Sequence, residues 1–367
     1  MKTKIRIFGA IAVAALWVGL CAFAWLKSPE ATSDSERRQL AQFPSVTGQS
    51  LLSGKFMADF EEYTLDQFPL RDGFRRIKAL FHYNILGQRD NNDIIIYEDY
   101  AAAMNYPLNE DSLDYALGKF NQVYETWLKE TGSKIYMAVV PDKGCYIPDE
   151  AGYLRLDYAV LAERMAQGMP YATAIDLQDC LDLQSFYRTD THWKQEALLP
   201  VAQKISQAMG VTAPKAEDFT CTELEQPFYG VYFGQAALPM DPETITLLEN
   251  EVLAGCTVTN HETGKTGGIY DLSKVEGQDL YEVYLSGPVS LLTIDNPAAA
   301  TDRELIVFRD SFGSSLVPLL VQDYARVTVV DIRYINSMFL GQFMEFTGQD
   351  VLFLYSSLVL NNSSTIK

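Results

Sequence analysis

The chain has 367 residues, 48% of them hydrophobic and 21% charged, a composition that fills a large core and excludes disorder as the default state. Its 48 acidic residues against 29 basic ones give a formal net charge of −19. A field of that sign repels phosphate backbones, which excludes nucleic acid as a partner class, and it also repels anionic lipid headgroups from the folded part.

The N-terminus carries the first clear signal. Lys2, Lys4 and Arg6 precede Ile7 to Leu26, a run without a charge. At about 1.5 Å per residue that run spans roughly 30 Å, the thickness of a bilayer's hydrocarbon core. A cleaved signal peptide is the alternative, with Ala22-Phe23-Ala24 as a weak cleavage site, but the run exceeds the usual signal core and favours a retained anchor. Basic residues on its N-terminal side place the rest of the chain outside the cytoplasm. The expectation is a single-pass cell-membrane protein, in contact with the membrane through residues 7–26, with an extracytoplasmic C-terminal domain. It divides into an anchor at 1–27, a polar linker at 28–50, and a domain at 51–367.

Apolar residues at helical spacing predict two helices between Lys55 and Leu86, separated by Pro69. Ile94 to Tyr97 reads as a short strand. Helices and strands then alternate: helix Asp114 to Thr131, strand Lys134 to Val140, helix Asp157 to Gln167, strand Thr173 to Leu177 and helix Gln195 to Met209. Residues 211–300 are rich in turns, with short strands at Thr244 to Leu248 and Tyr281 to Leu285, and read as an insertion. The last part predicts strand Leu305 to Phe308, helix Ser314 to Gln322, strand Arg326 to Asp331, helix Asn336 to Phe346 and strand Val351 to Tyr355. Such a pattern predicts an α/β fold, a parallel sheet flanked by helices. Ligands bind outside the carboxyl ends of such strands, where Lys143, Ser311, Arg333 and Tyr334 fall.

Arg309-Asp310-Ser311-Phe312-Gly313 lies between a strand and a helix, so Ser311 is either a nucleophile on a tight turn, its own N–H near an oxyanion, or a simple N-cap. A serine hydroxyl needs a base. Of three histidines, His82 sits on a helical face and His261 in a surface turn. His192 stands in Tyr187-Arg188-Thr189-Asp190-Thr191-His192-Trp193, two residues from a carboxylate that can orient its ring. Asp190 and His192 are too few ligands for a metal, and no G-x-G occurs, so neither a metal nor a cofactor is expected. Cys145, Cys180, Cys221 and Cys256 form no C-x-x-C, and both paired and free thiols remain open.

Together with Phe68-Pro69-Leu70-Arg71-Asp72, Pro141-Asp142-Lys143 and Asp331-Ile332-Arg333-Tyr334, these segments resemble the DHHW family and the alginate O-acetyltransferase proteins of the SGNH-hydrolase superfamily, in the family's order. The resemblance implies an SGNH-like α/β domain in permuted order, with Ser311 as nucleophile, His192 as base and Asp190 as its orienter. It also implies acetyl chemistry on an exported or cell-envelope polysaccharide, the acetyl group coming through a partner membrane-bound O-acyltransferase. Two positions depart from the pattern: Thr191 stands where the family name has histidine, and Arg309 where G-D-S has glycine. Arg309, Arg333, Tyr334, Lys143 and Trp193 are the candidates for substrate or oxyanion contacts, Arg309 as a cationic clamp. The competing expectations are a noncatalytic polysaccharide- or partner-binding protein of envelope assembly, and a carboxylate-based glycan hydrolase.

Overall fold

Strands rich in branched and aromatic residues form the centre of an eight-stranded sheet in the computed structural model, which describes residues 2–33 and 35–367. In chain order they are β1 (Ile135–Val140), β2 (Thr173–Ile175), β3 (Thr257–Asn260), β4 (Lys265–Gly267), β5 (Leu291–Asp295), β6 (Glu304–Arg309), β7 (Arg326–Val330) and β8 (Asp350–Ser356). The spatial order is β4-β3-β5-β7-β6-β8-β1-β2, parallel from β7 to β2. Alternation sends Val351, Phe353 and Tyr355 of β8 into a core with α4 (Glu110–Val123) and α5 (Tyr158–Gly168). Leu352 and Leu354 enter the opposite core with α6 (Leu199–Met209).

The sheet is mostly parallel and flanked by helices, as expected, with an antiparallel portion added on one side. Strands β3, β4 and β5 come from the turn-rich segment and pair antiparallel, β5 directly against β7. That segment therefore extends the sheet as well as looping out from it. Two expectations are corrected. The strand expected from Tyr281 is a 3-10 turn, Leu280–Val283, because the Asp279 side chain accepts the Tyr281 N–H and the tyrosine rings pack inward. The helix expected at 336–346 is a 3-10 segment, Ser337–Gln342, where Gly341 lies so close to the Trp127 ring that a Cβ would come within 2.4 Å of it.

By contact the chain forms two units, residues 1–91 with 233–239, and 92–232 with 240–367. The first holds α1 (Lys2–Leu26), α2 (Lys55–Asp66) and α3 (Arg71–Asn84). Residues Lys4–Leu26, none of them buried, are long and apolar enough to cross a membrane. Position 34 of the expected linker lies outside the described residues. The described part is not free, since Arg38 and the Ala41 N–H both donate to Asp66, and the Gln67 amide oxygen accepts the Glu30 N–H. Cys21, Cys145, Cys180, Cys221 and Cys256 are all free thiols, and burial pushes Cys145 up to about 12 and Cys256 up to about 11. Both are therefore protonated and poor nucleophiles.

Candidate active site

Strand β6 runs between two parallel neighbours and ends at Arg309, so the next residues emerge at the carboxyl rim of the sheet. Asp310 pins the turn: its buried carboxylate accepts the N–H groups of Phe312 at 3.0 Å and Ser356 at 2.7 Å. Gly313 comes next because a Cβ there would meet the Arg309 Cβ at 2.8 Å. From Leu305 to Val321, Ser311 alone is not buried. It is partly exposed, and its N–H donates to no protein group among the described residues.

His192 arrives on a tight loop after β2. The Tyr187 N–H donates to the His192 carbonyl and the Lys194 N–H to Ser185, closing the loop at its base. The buried Trp193 indole donates to the Phe312 carbonyl and the Ser315 hydroxyl, both at 3.0 Å, which fastens this loop to the serine turn. His192 Nε2 then lies 2.8 Å from Ser311 Oγ, and Nδ1 lies 2.5 Å from Asp190 Oδ1. The network assigns the tautomer: Nδ1–H donates to the carboxylate, and Nε2 accepts the serine O–H. The second oxygen of Asp190 accepts the Val231 N–H at 2.8 Å. Asp190 is 1% exposed and His192 7% exposed, so bulk water competes little for these bonds.

Several residues that build the site carry no signal in sequence. Tyr281 stacks on the His192 ring, with centroids 3.9 Å apart and planes 6° from parallel, and its hydroxyl meets Ser315 at 2.7 Å. Thr189 is held by Glu243, which accepts both its N–H and its hydroxyl. The Thr189 hydroxyl in turn accepts the Gly230 N–H. Gly230 touches the Asp190 backbone so closely that a Cβ would sit 2.3 Å from its Cα. Gly230→Ala must therefore push the carboxylate away from the imidazole. We expect a stability loss of roughly 1–3 kcal/mol and a kcat about 10²-fold lower, read from denaturant midpoints and ester turnover on the same preparation.

Three expected substrate contacts are corrected by burial. Arg309 is wholly buried, donating to the carbonyls of Asp310 at 3.3 Å and Gly287 at 3.2 Å, with Asp331 at 3.8 Å. It is no clamp, since the guanidinium lies beneath the turn rather than in the cleft. Burial lowers its pKa against the pull of Asp331. Trp193 is buried, and its indole N–H is committed to joining the histidine loop to the serine turn. Lys143 is 2% exposed and donates to the carbonyls of Tyr187 at 2.9 Å and Arg188 at 3.2 Å, holding the histidine loop from below. Arg333 makes two bonds to Asp331, at 2.9 and 2.7 Å; burial opposes its charge, but those bonds prevail and its pKa is raised. Tyr334 is exposed and open to a ligand.

Burial pushes Lys143 down to about 7, against the pull of Asp190, Glu243 and Asp142. In the unfolded chain a lysine titrates near 10.4. Between those values the unfolded chain holds a proton that the folded one has released, so stability rises with pH across that window. We expect Lys143→Met to remove up to roughly 3 kcal/mol of that rise, read as the change in unfolding free energy between about pH 7 and about pH 9.5.

A mostly parallel sheet whose rim presents a serine to an upstream imidazole–carboxylate pair is an SGNH-hydrolase-like fold. Residues 109–272 match a family model described as the SGNH hydrolase-like domain, acetyltransferase AlgX. The matched stretch includes Asp190 and His192 and stops before Ser311. Over 232 residues the chain is 26% identical to the probable alginate O-acetylase AlgJ of Pseudomonas syringae pv. tomato. That match covers 58% of this chain and 58% of the relative's length. Among solved structures, a DHHW family protein from Eubacterium siraeum superposes with a TM-score of 0.61 at 19% identity, covering 76% of this chain and 95% of that one. PatB1 of Bacillus cereus, solved with a sulfonyl adduct, gives 0.58 at 18% identity, covering 73% and 95%. At these identities the structural likeness is one of fold. The resemblance read from the ordered motifs thus holds in sequence and in fold.

Proposed function

We propose that this domain transfers an acyl group through Ser311, moving acetyl to or from hydroxyls of an exported or cell-envelope polysaccharide. One observation carries the reading: His192 Nε2 sits 2.8 Å from Ser311 Oγ while Asp190 holds the opposite ring nitrogen. In this reading Ser311 Oγ attacks the acetyl carbonyl carbon and its proton passes to His192 Nε2. The Ser311 N–H donates to the oxyanion. As the tetrahedral intermediate collapses, His192 gives that proton to the departing oxygen, leaving acetyl-Ser311. A sugar hydroxyl then gives its proton to His192 and attacks the acetyl carbon, and His192 passes that proton to Ser311 Oγ as the Oγ–acetyl bond breaks. Water in the same place makes the enzyme an esterase. Asp190 stabilises the imidazolium formed in each step.

The named activity of the Pseudomonas syringae relative and the description of the family model support acetyl as the group and a polysaccharide as the acceptor. The donor in this reading is supplied by a membrane-bound O-acyltransferase partner, and α1 tethers the domain on the extracytoplasmic side, in keeping with the basic residues that precede it. The test uses the full chain in detergent, a chromogenic acetyl ester as donor and oligosaccharides as acceptors, with product read by mass spectrometry. An acetylated sugar supports transfer, and p-nitrophenol release with free acetate alone supports hydrolysis. Product formation unchanged by Ser311→Ala overturns the proposal.

A further inference from the structure

We propose that α3 lies in the membrane–water interface, its apolar stripe among the acyl chains and the exposed Arg76 and Lys78 at anionic lipid headgroups. The helix is inverted relative to an ordinary surface helix, which turns its apolar face inward. Leu70, Phe74, Ile77, Phe81 and Ile85 recur at i, i+4, i+7, i+11 and i+15, so they share one face, and each is between 46% and 72% exposed. The opposite face carries Ala79, which is buried, and Arg71 and Arg75, which are half-buried. There Glu36 binds both arginines, and Arg75 also donates to the Gly234 carbonyl at 2.8 Å. Water is an unfavourable medium for five large apolar side chains in a row.

Two features of the chain select a lipid surface as the occupant. The helix belongs to the same unit as α1, whose residues Lys4–Leu26 suit a bilayer span, so a membrane is the nearest large apolar phase available to it. Of its four basic residues Arg71 and Arg75 are bound to Glu36, while Arg76 and Lys78 are exposed and within reach of a headgroup, in a chain of net charge −19. A basic amphipathic helix with phenylalanines on its apolar side is the form that settles at an anionic interface. The acidic remainder of the chain is repelled from that surface, so attraction is confined to this helix.

The test uses the full chain in vesicles of phosphatidylethanolamine and phosphatidylglycerol, in a Cys221→Ser background, chosen so that a probe on the native Cys21 is quenched by lipid-borne nitroxides. A second environment-sensitive probe is placed through Ile77→Cys and a control probe through Leu154→Cys, an exposed site in the other unit. The expected result is strong quenching of the Ile77 probe by the lipid nitroxides and several-fold weaker quenching by aqueous iodide than at Leu154. Adding Phe74→Glu and Phe81→Glu should return the iodide quenching at Ile77 to the control level. Equal iodide quenching at Ile77 and Leu154 in the parent protein overturns the proposal. So does protection from iodide without lipid quenching, which would mean that another protein surface covers the stripe.

Discussion

Replacing Ser311 by alanine should lower ester turnover by about 10⁴-fold or more, with the fold intact. The residue is partly exposed at the end of β6, and the hydrogen bond of its side chain goes to His192 Nε2. Removing the hydroxyl therefore empties no packed cavity and strands no buried backbone group, so unfolding midpoints should change by less than about 1 kcal/mol. His192→Ala should lose about as much activity as Ser311→Ala, and the double variant little more, because neither group works without the other. The measurement is kcat for the single and double variants on one chromogenic acetyl ester. Additive losses would mean that the two groups act independently.

Asp190→Asn is the second large effect, expected at about 10⁴-fold in kcat with KM nearly unchanged. Asp190 Oδ1 accepts from the imidazole and from the His192 backbone N–H, while Oδ2 accepts the Val231 N–H. Asparagine has one oxygen to offer those three donors. With that oxygen on Val231, the amide nitrogen faces Nδ1 as a donor and forces the proton to Nε2, where it blocks acceptance from Ser311. Nitrogen chemical shifts of the His192 ring check the cause, since they separate the two tautomers. Full activity with Nε2 protonated would rule out this role for Asp190.

The fold was legible where physics is local. Strands buried on both faces, such as Leu305 to Phe308 and Val351 to Tyr355, show as unbroken apolar runs, and Pro69 marks the break between α2 and α3. Strands β3 and β4 were hidden because short polar strands near a sheet edge look like the turns around them, and β5, though Leu291, Leu292 and Ile294 are buried, is a five-residue run set in the same turn-rich stretch. His192 stood out because the chain has so few histidines and a carboxylate lies two residues away. Gly230 and Tyr281 could not be found this way. They reach Asp190 and His192 from 40 and 89 positions along the chain, and their role rests on close packing that composition does not encode. Arg309 misled for a related reason. An arginine at a strand end suggests a ligand for anions, yet Asp331 and two backbone carbonyls hold its terminal nitrogens underneath the turn.

Whether Ser311 is an activated nucleophile can be read straight from covalent labelling. The full-length protein is treated with a small sulfonyl fluoride at neutral pH, digested, and the modified residue located by mass spectrometry. A single adduct on Ser311 is expected, formed in step with loss of ester turnover and largely absent from His192→Ala. An adduct elsewhere that abolishes turnover while Ser311 stays unmodified would contradict the serine mechanism, as would equal labelling of Ser311 with and without the imidazole.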